Sequence, residues 1–268
     1  MSAVDDGGLR VAREDGVLRL TLDRPRRRNA LDDAMVTDLI RELEDANQDE
    51  SVRAVMLSGT GDHFCSGFDL AARNAPRDAR PRVGSIQRRV SSEAHRLVPL
   101  LCSVQVPVVC RVQGWAAGIG LHLVLAADFA VVAEDARLWE PFMRRGFTPD
   151  SGGTWLLPRR VGEARAREML LLGREVTGTE ASAWGMVHRA VPEAELDAAV
   201  GEVLGRLASG PTVALGLTKW LMHAGASRSL EEHLADEAFG VELSSRSEDF
   251  REGMAAFGEK RDPEFRGR

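Results

Sequence analysis

The sequence has little cysteine, no long apolar run and no excess of positive charge, and each shortage narrows what the chain can be. Three cysteines, Cys65, Cys102 and Cys110, stand among apolar or small neighbours. None has the CxxC or Cys/His spacing that holds zinc or builds a disulfide framework, and such usage fits a reducing cytosol. No stretch of roughly 18 apolar residues occurs, so no membrane-spanning helix is expected. The polar, acidic start MSAVDDGG does not read as an export signal. A formal charge of −6 argues against nucleic acid as a partner. Arginine is nevertheless dense at Arg24–Arg28 and Arg73–Arg89. Local basic clusters on an acidic chain suit a small anionic ligand such as a nucleotide phosphate, or simply a solvated loop. Internal repeats and low-complexity tracts are missing. At 268 residues the chain can bury its own core without staples.

Leu18, Leu20 and Leu22 alternate with Arg19, Thr21 and Asp23, the pattern of a half-buried strand that Arg24-Pro25 stops. Met35, Leu39 and Leu43 recur every four residues, with Asp32 and Asp33 placed to cap a helix. Val52–Leu57 reads as a strand running into a glycine turn, Ile86–Leu101 as a helix, and Pro107–Val112 as a buried strand. Gly114–Gly120 opens a helix through Leu125, and Phe129–Val132 is a further strand. Alternation of this kind predicts an α/β core with a largely parallel sheet. From Glu163 onward only helices are expected: Glu163–Leu172, Glu193–Ala208, Thr212–His223 and Leu230–Ser244. The division placed at 1–205 and 206–268 separates an α/β core from a helical region suited to an oligomer interface.

Two short segments carry the chemistry. Gly114-Trp115-Ala116-Ala117-Gly118-Ile119-Gly120 lets a ligand approach the main chain where a starting helix leaves its first N–H groups unpaired. Such a terminus favours developing negative charge. If Phe64-Cys65-Ser66-Gly67-Phe68-Asp69-Leu70 brings another N–H to the same point, the two form an oxyanion hole. Losing one such donor costs about 3 kcal/mol of transition-state stabilisation.

Arg24-Pro25 with Asn29-Ala30-Leu31, Gly61 through Leu70, Gln113 through Gly120, Ala126-Ala127-Asp128, Pro149-Asp150-Ser151-Gly152-Gly153-Thr154, Trp184-Gly185-Met186-Val187 and Phe257-Gly258-Glu259-Lys260-Arg261 follow one another in order. Together they resemble the signature blocks of the crotonase (enoyl-CoA hydratase/isomerase) superfamily, from about Leu9 to Arg268, and most closely its phenylacetyl-pathway isomerase type. The resemblance implies a crotonase spiral of ββα turns with C-terminal helices that build a homotrimer or a dimer of trimers. It implies an acyl-CoA thioester substrate, no cofactor beyond the coenzyme A of that substrate, and no metal. Phe68 and Ile119 would supply the oxyanion N–H groups. Arg26–Arg28, Ser66, Asp69 and Leu70 would meet coenzyme A, and Phe257 with Lys260 would reach the coenzyme A of a neighbouring subunit. Ile119 departs from the usual glycine there; its N–H survives, but a β-branched side chain narrows the approach.

The reaction depends on the groups above the acyl chain. Hydratases of the family use two glutamates, and here His122 and Phe142 occupy those positions. Glu140 lies nearby, out of register and before Pro141. His122 follows Ile119 by three residues, so its imidazole is expected on the same helix face, as a proton carrier or as a satisfied buried histidine. Asp150 falls where the isomerases and aryl-CoA dehalogenases of the family place an aspartate; alternatively it caps a helix. A single carboxylate suits double-bond isomerisation, in which one base removes a proton and returns it elsewhere. Phe68, Trp115, Phe142 and Phe147 would then line an apolar pocket. A hydratase, a dehalogenase using Phe68, His95 and Asp150, and a non-catalytic scaffold are the competing expectations.

Overall fold

A computed structural model describes residues 7–73 and 82–268. The middle of the second arginine cluster, 74–81, and the first six residues lie outside the described residues. In chain order the strands are β1 Gly8–Glu14, β2 Val17–Asp23, β3 Ala54–Gly59, β4 Val108–Val112, β5 Trp115–Ala117, β6 Phe129–Ala133, β7 Arg137–Trp139, β8 Val176–Thr177 and β9 Arg189–Val191. The helices are α1 Asp33–Ala46, α2 Leu70–Arg73, α3 Ser85–Ser92, α4 Ala94–Ser103, α5 Ile119–Ala126, α6 Gly153–Leu172, α7 Gly178–Ala183, α8 Leu196–Ala208, α9 Thr212–Gly225, α10 Leu230–Ser244 and α11 Glu248–Glu259.

Strands β1-β2-β3-β4-β6-β9 form one sheet and β5-β7-β8 a second. Only β1–β2 is antiparallel in the larger sheet; every other pairing there is parallel. In β2 the leucines are buried and Arg19, Thr21 and Asp23 half-buried, the alternation expected of one face on a core. Asp32 caps α1, its carboxylate accepting the Met35 N–H at 2.9 Å. Helix α1 packs on β1, β2 and α4, while α8 packs on β3, β4 and β6. All eight residues of α5 are buried. A helix without a polar face belongs inside the molecule, and α5 lies against α4, α6 and β5.

Several expectations needed correction. Strands do recur after Glu163, at β8 and β9. At two and three residues they are too short to display alternation, and β9 exists because Val131–Ala133 of β6 offers an edge to pair with. The helix expected over Ile86–Leu101 is two, broken at Glu93 (φ −114°, ψ −94°). The buried positions Val90, Ala94, Leu97 and Leu101 keep helical step across that break, which hides it from periodicity. Ahead of α5 the chain forms β5 rather than helix. Helix α6 begins ten residues before Glu163 and is interrupted at Gly162 (φ 76°, ψ 164°). Residues 205 and 206 both lie in α8, so the last core helix runs on to Ala208.

Helix α9 is held to the core by Lys219, whose Nζ stands 2.7 Å from Asp128 and donates to the Leu101 and Val106 carbonyls. Burial pushes its pKa down, and Asp128 opposes the shift. A second buried pair matters more to the site. Arg24, 6% exposed at its side chain, meets Asp69, 7% exposed, at 3.1 Å and Asp32 at 3.3 Å. It also donates to the Ala30 carbonyl at 2.8 Å. Asn29 continues the clamp, donating to the Thr60 and His63 carbonyls and accepting the Arg24 N–H. This cluster fastens the turn after β2 to the loop that carries Phe68. Removing one partner of such a buried pair strands the other. Asp69→Ala is expected to lower the unfolding free energy by about 3 kcal/mol, measured by urea titration; a loss below about 1 kcal/mol would mean that Asp32 suffices for Arg24.

Candidate active site

The segment from Phe64 to Asp69 belongs to no regular strand, yet it is hydrogen-bonded along both sides. On one side Phe64 and Cys65 N–H donate to the Gln113 and Trp115 carbonyls, and Ala117 N–H donates to the Cys65 carbonyl at 2.9 Å. On the other, Ser66 N–H donates to Arg28, Leu31 N–H to Gly67, and Asp69 N–H to Leu31, at 2.8–3.0 Å. The two loops singled out in the sequence are thereby locked together. Gly120 is needed for the closeness of the lock, because a Cβ there would collide with the Cys65 carbonyl. Gly118 takes φ 55° and ψ −125°, a conformation that a side chain would resist, and so aims the chain into α5 with Ile119 as its first residue. In that first turn an N–H has no intrahelical acceptor.

Phe68 and Ile119 come together on the wall of one cleft, joined by Ser66, Gly67, Leu70, Gly118, Pro141, Phe142, Arg145, Phe147 and Asp150. Asp150 is the one carboxylate on this wall among the described residues. It does not cap α6: the residue preceding that helix is Gly152 and no side chain caps it. Its carbonyl instead accepts from His95 Nε2 at 3.0 Å, and its Oδ1 accepts from the Ser151 hydroxyl at 3.2 Å.

His122 is not where the shared helix face suggested. Its side chain is 0% exposed, as is that of Glu140, and neither lines the cleft. Nε2 lies 3.0 and 3.2 Å from the Glu140 oxygens, while Nδ1 lies 2.6 Å from Ser151 Oγ. Phe142 stands between, stacked on the imidazole at 5.9 Å and 6° and edge-on to Phe147 at 5.3 Å. The ring is therefore behind the cleft wall, and Glu140 is turned from substrate onto it. Ser151, which the sequence did not single out, links the two regions. The only trace of it in the sequence was its place beside Asp150, since its partner is 29 residues away.

Other expected contacts divide by burial. Ser66 and Leu70 line the cleft mouth, and Arg26 and Arg28 are exposed on the turn that Ser66 touches. Asp69 is withdrawn: its carboxylate holds Arg24 and its N–H holds Leu31, so it has a framework role rather than a ligand role. Trp115 does not line the cleft either, nor does any residue of β5; its ring leans on Trp139, ring centres 5.8 Å apart. Phe257, 82% exposed, and Lys260 lie at the end of α11 and do not reach this cleft within one chain. Cys65 sits in the oxyanion segment, but full burial pushes its thiol up to about 12, which leaves it inert as a nucleophile. No helix among the described residues is long and apolar enough to cross a membrane.

Residues 12–268 match the enoyl-CoA hydratase/isomerase family profile. The chain is 38% identical over 257 residues to 1,2-epoxyphenylacetyl-CoA isomerase of Escherichia coli K12, covering 95% of this chain and 97% of that protein. It is 33% identical over 260 residues to 4-chlorobenzoyl coenzyme A dehalogenase-1 of Arthrobacter sp., covering 97% and 94%. The crystal structure of an enoyl-CoA hydratase from Bacillus anthracis superposes with a TM-score of 0.90 at 30% identity, covering 98% of this chain and 100% of that one. Such similarity runs through the interlocked loops, the cleft and the C-terminal helices alike, and the chain belongs to the enoyl-CoA hydratase/isomerase family, with the crotonase fold.

Proposed function

We propose that the protein is an acyl-CoA double-bond isomerase with Asp150 as its acid and base. The observation that carries this is that, among the described residues, one carboxylate stands on a cleft whose wall also holds Phe68 and Ile119, with Glu140 facing away. Adding water across a double bond needs one group to activate water and another to protonate carbon. Shifting the bond needs one group that takes a proton from the carbon beside the thioester and delivers it two carbons further on. The electron pair left behind spreads onto the thioester oxygen. Main-chain N–H groups of Phe68 and Ile119 would hold that oxygen, stabilising charge only as it develops.

Phe68, Phe142, Phe147 and Leu70 give the cleft apolar walls suited to a ring or an unsaturated chain. The likeness to an isomerase of a ring-bearing thioester supports the same substrate class. Coenzyme A would enter past Ser66, with its phosphates on Arg26 and Arg28, exposed beside it. Phe257 and Lys260 would serve the site of a neighbouring copy in a homotrimer or dimer of trimers. Exposed Leu234, Phe239, Phe250 and Met254 on α10 and α11 support burial of that region between copies. We place the enzyme in the cytosol, in keeping with its three free cysteines.

One contact favours a second reaction. The dehalogenase relative acts on an aryl thioester, and the His95 hydrogen bond to the Asp150 backbone carbonyl sets a histidine beside the residue whose carboxylate would attack such a ring.

Incubation with 3-enoyl- and 2-enoyl-CoA thioesters, with and without an aryl group on the chain, should show wild-type isomerisation. Asp150→Asn should lower kcat by about 10²- to 10⁴-fold with KM little changed; wild-type turnover by this variant would sink the mechanism. Arg28→Ala should raise KM about tenfold while sparing kcat, the mark of binding energy used equally in ground and transition states. With a haloaryl-CoA, intact-mass analysis should find no ester on Asp150; an ester there would establish the dehalogenase chemistry instead.

A further inference from the structure

Four polar side chains run in line from the interior to the cleft: Glu140, His122, Ser151 and Asp150. The first three are buried, at 0%, 0% and 1% exposure, and Asp150 alone reaches the open wall. Nothing in the isomerisation above uses Glu140 or His122. A buried histidine and glutamate are costly to keep unless they are paired. Their surroundings are built closely around that pairing. Phe142 stacks on one face of the imidazole. The start of α6 closes over the Glu140–His122 bond so tightly that a Cβ on Gly153 would collide with His122 Nε2 and stand 2.8 Å from Glu140 Oε1. The polar connection from this pair to the cleft runs through Ser151 and Asp150.

Hydrogen positions follow from counting donors. A serine hydroxyl has one proton, and Ser151 Oγ has two neighbours in reach, His122 Nδ1 at 2.6 Å and Asp150 Oδ1 at 3.2 Å. When Asp150 is ionised, the hydroxyl donates to it, so Nδ1 must carry hydrogen and donate to Oγ. Nε2 faces a carboxylate, so that contact needs a proton as well. The Glu140–His122 pair then holds one proton more than it does with a neutral imidazole and an ionised glutamate. When Asp150 is protonated, the line between it and the imidazole reverses: Asp150 donates to Ser151 and Ser151 donates to Nδ1, while Nε2 donates to Glu140 as before. The two arrangements contain the same atoms and the same net charge. They interconvert as the Nδ1 proton passes to Ser151 Oγ and the Ser151 proton passes to Asp150 Oδ1. Two bonds to hydrogen break and two form: Asp150 is neutralised, the imidazolium becomes a neutral imidazole, and the His122–Glu140 pair goes from net zero to net −1 with no heavy atom displaced.

We propose that Glu140, His122 and Ser151 are a buried proton relay that positions the Asp150 carboxylate and exchanges a proton with it. The proposal rests on Asp150 being the acid and base of the reaction above. The other titratable or charged groups at this point are His95, from α4, which holds the Asp150 backbone carbonyl, and Arg145, which lines the cleft. Neither has a hydrogen bond to Glu140, His122 or the Ser151 hydroxyl, so among the described residues the relay has a single outlet. Its members act through Asp150 and are positioning residues.

Two measurements separate the relay from the isomerase assignment. In the full-length protein, Ser151→Ala should lower kcat about 10- to 100-fold with KM within about threefold, and should alter the pH profile of kcat. Ser151→Thr, which keeps the hydroxyl, should restore most of it. Adding His122→Asn to Ser151→Ala should change kcat by less than about twofold, because a line already cut cannot be cut again. Wild-type kcat and pH profile in Ser151→Ala, or multiplicative losses in the double variant, overturn the relay. Without any substrate, ¹⁵N NMR of the imidazole should show His122 Nδ1 protonated in wild type and unprotonated in Asp150→Asn. Identical His122 ring shifts in the two proteins also overturn it. Responsive shifts in an enzyme that isomerises no thioester would uphold the relay and remove the isomerase assignment alone.

Discussion

The site depends on one constraint, the two-sided hydrogen bonding of a segment that is not itself a strand. Phe64 to Asp69 gives its backbone groups to β5 on one flank and to Arg28–Leu31 on the other. Each bond contributes little by itself, about 1 kcal/mol net. Their collective effect is geometric: Phe68 cannot move relative to Ile119 without breaking several at once. Arg24 and Asn29 then hold the outer flank in place, and the Gly120 approach holds the inner one. Preorganisation of this kind is what an oxyanion site requires, since donors already in position need no rearrangement as charge develops.

How far the sequence disclosed this differs from residue to residue. The two loops, the capping of α1 by Asp32, the β2 alternation and the parallel sheet were legible because each is written in neighbouring residues. Asp150 was legible as a cleft residue because its motif is continuous. Asp69 was misjudged since nothing local says that an aspartate in a glycine loop will turn inward toward an arginine 45 residues earlier. Trp115 is turned onto Trp139, 24 residues further along the chain, which nothing local discloses. His122 was placed on the correct helix face, but the face belongs to a helix buried on all sides, and what stood in front of it was decided by Phe142 from another segment. Glu140 looked out of register with the substrate because it is in register with His122 instead.

Two demands thus meet in the same few residues. In the proposed reaction the cleft wall must be apolar to exclude water from the thioester, yet the base on it must be held and its proton managed. Phe142 serves the first demand on its outer face and covers the imidazole with its inner one, so the wall separates a dry acyl site from a polar line that touches it only at Asp150. Close packing at Gly153 leaves no space for a side chain there, so the start of α6 lies directly on the histidine and the glutamate.

The Glu140–His122 contact also constrains how this chain could have been reached from a relative with a different reaction, or could be turned into one. Placing a glutamate at 122, as the hydratases have, would confront it with Glu140 about where the imidazole now sits, two carboxylates facing each other in a sealed interior. Restoring a glutamate at 142 first would remove the aromatic cover while the histidine still needs it. Either single step is expected to cost stability, since it leaves a buried polar group without the neighbour it now has. Substitutions at 122 and 142 are therefore coupled to residue 140 through a buried pair that does not line the cleft, so the residues on the wall cannot be exchanged independently of those behind it.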